Sequence, residues 1–189
     1  MALAAQRRLH LASALLAFVV GAMALSFCVA TSNFAVADPA KTTRTKDVLT
    51  MAKVEGDESR AMFARYFASE SNRAMFAVLG PLQVAGCAGA FLLAFTSARG
   101  LARGKLARAL LAGCFALSIA LAPLVPMMIR KGRLIDFTSR ASGDPPEVRS
   151  FLALHGAYMA GDLLLLLCAA ALVPLLAAAS ANPDRGERS

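Results

Sequence analysis

Histidine is scarce in this chain: His10 and His155 are the two that its 189 residues contain. Each opens an apolar run, and the two runs enter a membrane from opposite sides, so one haem cannot be held between them. A bis-histidine cytochrome is excluded within a single copy. Cysteine is also sparse. Cys28, Cys87, Cys114 and Cys168 show none of the short spacings of a redox or zinc motif. One falls in each apolar run, where a small adaptable apolar side chain is the simplest reading. A shared metal or thiol site would require Cys28 to meet Cys114 from the opposite half of the membrane. No nucleophile elbow, phosphate loop or zincin signature occurs. No catalytic constellation, no metal site and no cofactor are expected, and an enzyme ranks third among the function classes.

Acidic residues are almost missing from the apolar runs. Of 12 Asp and Glu, Asp162 alone lies inside one, and the 20 Lys and Arg fall between runs or at their ends. This segregation, with 58% hydrophobic residues and a mean hydropathy of +0.59, belongs to a membrane protein and not to a soluble domain. The runs cover residues 9–37, 74–95, 106–129 and 151–179. Each holds the ~20 apolar residues that a helix rising ~1.5 Å per residue needs to cross a bilayer, and none alternates like a barrel strand. Ala, Leu and Gly dominate them, which favours close helix packing. An all-α membrane protein is expected, a single domain over residues 1–189 built as an antiparallel bundle of four transmembrane helices.

The formal net charge of +8 would suggest nucleic acid in a soluble protein. Here the basic residues flank membrane spans and can meet anionic headgroups, and no nucleic-acid motif is present. The expected partner is the lipid bilayer, with no nucleic acid. Arg7 and Arg8 before the first run, and Ala35, Val36 and Ala37 at its end, resemble a signal peptide. The run is about twice an ordinary apolar signal core, so an uncleaved anchor is expected. The N-terminus, second connection and C-terminus hold eight Lys and Arg, and the other two connections hold twelve. That count favours an outside N-terminus. Against it, Arg7 and Arg8 abut the first span and the second connection is dense in positive charge. A cytoplasmic N-terminus is expected, in a bacterial inner membrane.

The first connection is the only long one. Residues 39–56 are polar and read as loop. Asp57 can cap a helix, and Met62, Phe63, Tyr66 and Phe67 recur at helical spacing with Arg60, Arg65 and Glu70 between them. Residues 57–73 thus read as a short amphipathic surface helix leading into the second span. Asp144, Pro145, Pro146 and Glu147 form a helix start ahead of the fourth span, which Pro174 would bend.

A carboxylate at membrane depth is costly, so Asp162 marks a place to look. His155, Tyr158 and Asp162 follow at i, i+3 and i+7 on one stripe of the fourth helix, with Gly156 and Gly161 close by. Measured from the face where spans two and four begin, Asp162 lies about 16 Å deep and Gln83 about 13 Å. His155 and Asn33 lie at about 6 Å, with Ser32 and Thr31 next to Asn33 along the first helix. A polar pocket of Thr31, Ser32, Asn33, Gln83, His155, Tyr158 and Asp162 is expected. Asp162 has two open roles: a functional carboxyl for a proton, cation or polar substrate, or a packing residue hydrogen-bonded to a neighbouring helix.

Phe151-x-x-x-His155-Gly156, opening the last span, resembles a bacterial domain-of-unknown-function family of four-helix membrane proteins. That family is related to the eukaryotic transmembrane protein associated with cisplatin resistance. The likeness extends to a small-residue first span at 18–34, an aromatic stretch at 62–67, and Pro126 ending the third span before Arg130. It covers most of the chain, although Asp162 stands where an amide would be expected. The resemblance implies membrane location and four helices, and supplies no reaction.

Two classes of function follow. One is a membrane protein that binds or moves an ion, proton or small molecule at the polar pocket. The other is a structural or assembly subunit, with the long first connection and surface helix docking membrane-protein partners or a second copy of the chain.

Overall fold

The computed structural model describes residues 2–38, 43–100, 103–138 and 143–181, and among these the chain forms six α-helices and no strand. They are α1 (Ala2–Ala37), α2 (Thr43–Met51), α3 (Asp57–Ala94), α4 (Gly104–Leu121), α5 (Leu124–Ile135) and α6 (Pro146–Ala181). A 3₁₀ turn, Ser97–Gly100, follows α3. Four segments are long and apolar enough to cross a membrane: Leu3–Ala37, Asp57–Ala94, Gly104–Ile135 and Pro146–Ala181. Only 22–33% of the most apolar window of each is buried within the protein. Side chains such as Phe18, Leu92 and Leu164 are exposed, and on apolar spans their compatible neighbour is lipid. The protein is an all-α integral membrane protein with four membrane-spanning segments.

The fold divides into two compact units, each fed by α1, α3 and α6. The first draws its described residues from Met1–Met23, Leu79–Pro123 and Met159–Ser189. Leu9, Ala12, Leu16, Val19 and Met23 of α1 are buried at the three- and four-residue spacing of one helix face. Leu165, Ala169, Leu172 and Leu176 do the same on α6. Ser13 Oγ donates to the Val173 carbonyl (3.1 Å) and Gln6 Nε2 to the Ser180 carbonyl, an antiparallel pairing of α1 with α6. Glycine sets how close the helices come. A Cβ at Gly86 would stand 2.3 Å from Val19 Cγ2, and one at Gly161 would stand 2.7 Å from Leu121 Cδ2. A side chain at Gly86 would have to push back the stiff Val19, whereas at Gly161 the end of the Leu121 side chain would have to turn aside.

The second unit comprises Ala24–Val78 and Leu124–Tyr158. It contains a departure from expectation: part of the stretch 39–56 is helical, as α2, and not loop. Tertiary contacts supply what the polar sequence hides. Leu49 is buried, and Thr45 Oγ1 donates to the Val36 carbonyl at 2.6 Å. The helix then ends in a Schellman closure, with Val54 N–H on the Leu49 carbonyl and Lys53 N–H on the Thr50 carbonyl, both at 3.0 Å. Lys53 takes the left-handed conformation, φ +55°, that this closure requires.

Two further boundaries differ. The amphipathic stretch 57–73 is helical, and it continues without a joint into the second span because no helix breaker separates Arg73 from Ala74. The third span, expected as one run over 106–129, is interrupted at Ala122 and Pro123 and then continues as α5 to Ile135. Pro123 and Pro126 carry no N–H, so the carbonyls four residues back lose their helical donors. Pro126, expected to end the third span before Arg130, lies in the first turn of α5, and Arg130 and Lys131 lie inside that helix.

Candidate functional site

In the first unit, Asp162 of α6 is 1% exposed and Gln83 of α3 is 3% exposed. Gln83 Nε2 donates to Asp162 Oδ1 at 2.7 Å. The carboxyl oxygen has an amide where it would otherwise face hydrocarbon, which is how a polar group persists at membrane depth.

The remaining residues of the expected pocket belong to the second unit. Asn33 Nδ2 donates to Asn72 Oδ1 at 2.7 Å, linking α1 to α3. Tyr158 is fully buried with its ring edge-on to Phe76, centroids 5.9 Å apart. His155 stacks on Phe151, one turn earlier on α6, at 5.7 Å and 9°. Thr31 and Ser32 depart from the expected pocket, since both are exposed. Thr31 Oγ1 donates back to the Phe27 carbonyl of its own helix at 2.9 Å. The reason is helical geometry: at about 100° per residue, Ser32 and Thr31 are turned ~100° and ~200° away from Asn33.

His155 and Asn72 line a cavity of about 340 Å³ in this unit, partly open to the outside. Its apolar walls are Phe34 of α1, Phe76 of α3, Val125, Met128 and Ile129 of α5, and Phe151 and Leu152 of α6. Its polar side comes mainly from α3, as Arg65, Ser69, Asn72 and Arg73, with Asp136 just past α5. Arg73 Nη1 donates to Asp136 Oδ2 at 2.8 Å while Nη2 reaches Oδ1, the parallel fork that a guanidinium and a carboxylate favour. Arg73 Nη1 also donates to Glu70 Oε2 at 2.7 Å, and the exposed Arg133 approaches Glu70 Oε1 at 3.3 Å. Gly132 makes room for this group. A Cβ there would sit 3.2 Å from Arg73 Nη2 and 3.4 Å from Phe151 Cε2.

Arg65, Ser69, Asn72, Arg73 and Asp136 were not marked by the sequence pattern, because the stretch before the second span reads as a surface helix. One signal was present. Positions 65, 69, 72 and 76 follow at i, i+4, i+7 and i+11, a single helix stripe that mixes polar residues with an aromatic.

Among the described residues no three His, Cys, Asp or Glu side chains gather as a metal site, and the four cysteines are free thiols. The cavity combines charged and hydrogen-bonding groups with apolar walls, a composition suited to holding an amphipathic molecule. Comparison with family models, with curated proteins and with solved structures finds no match.

Proposed function

We propose that this integral membrane protein binds a small amphipathic molecule in the second unit's cavity. The observation that carries this is the cavity itself, about 340 Å³, with apolar walls and a few polar side chains gathered on α3. Ligand sites have this composition, and ~300–1,000 Å³ is their usual range. Asp162 is a packing residue in this scheme, because its hydrogen bond to Gln83 accounts for its burial without a transported ion. The family resemblance read from Phe151, His155 and Gly156 is part of the same proposal, as are a bacterial inner membrane and a cytoplasmic N-terminus.

Native mass spectrometry of the full chain, purified in mild detergent, tests the proposal. A small molecule should remain bound to the native protein. Leu152→Trp, at a half-exposed lining position, should release it without loss of folding. Retention of the same adduct by a folded Leu152→Trp variant would place the bound molecule elsewhere and sink the reading.

A further inference from the structure

We infer that the cavity's occupant carries an oxyanion head, a carboxylate or phosphate on an apolar chain, seated on Arg65, Ser69 and Asn72. The inference rests on the cavity being an amphiphile site and names the ligand class. The three residues share one stripe of α3 at i, i+4 and i+7, and all three line the cavity. Each brings donors that no acceptor among the described residues takes. Among the described residues Arg65 makes one hydrogen bond, from Nε to the Ala61 carbonyl of its own helix at 3.3 Å, and no ion pair. Asn72 is 7% exposed, and its Oδ1 is occupied by Asn33, which leaves the amide NH₂ for the cavity. Ser69 adds a hydroxyl.

The neighbouring charge is different. Arg73 is held by Asp136 and Glu70, so its charge is already matched. Of the Arg and Asp residues lining the cavity, Arg65 is the one with no ion pair among the described residues. Untaken donors along one stripe favour a group that accepts. A carboxylate or phosphate can engage a guanidinium fork and further donors together, whereas an alcohol offers one oxygen. The chain belongs against Phe34, Phe76, Val125 and Met128. A volume near the low end of the usual ligand range fits one acyl chain better than two. Arg65 to Asn72 precede the apolar run that starts at residue 74, so the head sits where a membrane gives way to headgroups.

The full chain in nonionic detergent, titrated with a dansylated undecanoate, provides the test, with laurate, dodecyl phosphate and dodecanol as competitors. Laurate and dodecyl phosphate should displace the probe about tenfold better than dodecanol, as charge-assisted hydrogen bonds would give. Arg65→Gln should abolish that preference and Ser69→Ala should weaken it. Arg149→Gln, on an exposed part of α6 outside the cavity, should keep it. Where Arg65→Gln does not fold, Arg65→Lys replaces it, keeping the charge but losing the fork and so reducing the preference.

Equal displacement by acids and alcohol, or an unchanged preference in folded Arg65→Gln, overturns the oxyanion seat while the amphiphile site stands. Probe binding that Leu152→Trp leaves intact removes the site itself. Phosphatidylcholine nanodiscs with and without phosphatidylglycerol then identify the source. Displacement by phosphatidylglycerol assigns the head to a bilayer lipid, and undiminished probe binding assigns it to a free single-chain acid, either one upholding the seat.

Discussion

Asp162 and Gln83 meet through one hydrogen bond, and that bond sets how each tolerates replacement. Asp162→Asn keeps an oxygen for the Gln83 amide, so thermal unfolding in detergent should move little. Asp162→Leu leaves that amide buried without its acceptor and should cost about 1–2 kcal/mol, seen as a lower unfolding temperature. Equal loss in both variants would show that the carboxylate charge matters and not the bond. Glycine gives a second contrast. Gly86→Ala would drive a methyl into Val19 and should destabilise by roughly 1–3 kcal/mol. Gly113→Ala meets nothing within 4 Å and should be neutral or slightly stabilising by the same assay. Depth counting along the sequence brings Gln83 level with Asp162, since both sit a known number of residues from a span boundary. It cannot give azimuth across helices, and so it put Thr31 and Ser32 beside Asn33 when the helix turns them outward.

At the scale of the element, the four spans are legible because twenty-odd apolar residues without charge admit one solution in a bilayer. Local breaks are harder to read. Pro81 and Pro174 lie within continuous helices, whereas Pro123, with Pro126 three residues later, interrupts one. Sequence alone does not separate these cases, because neighbouring helices decide whether the freed carbonyls are tolerated. The helix α2 is hidden because its sequence is polar and carries no apolar run, although Leu49 is buried in the fold. Its closure yields a prediction. Lys53 holds a positive φ without being glycine, so Lys53→Gly should stabilise the end of α2 by about 0.5–1 kcal/mol. Slower hydrogen exchange at the amides of residues 53 and 54 would report it; faster exchange would mean that the lysine side chain itself holds the turn.

For the whole molecule, charge segregation identifies a membrane protein, but a cavity assembled from α1, α3, α5 and α6 leaves only a partial trace in the sequence, the stripe 65, 69, 72 and 76 of α3. Burial can be checked across the chain with the thiols already present. Cys28 is exposed, Cys168 is partly exposed, and Cys87 and Cys114 are buried. A small maleimide should label the detergent-solubilised native protein at Cys28 first, and at Cys87 and Cys114 only on unfolding. Native labelling at Cys114 that matched Cys28 would contradict the packing of the first unit. The unbroken course of α3 has its own consequence. Its 38 residues are well over the ~20 that a hydrocarbon core of ~30 Å needs at ~1.5 Å rise each, and its charged beginning is helical together with the apolar run that follows. Bilayer thickness then becomes a control on the protein. In short-chain lipid more of the helix stands in water, and in long-chain lipid the level of Arg65 is drawn toward the headgroups, so hydrophobic mismatch would set how readily an amphiphile reaches its seat.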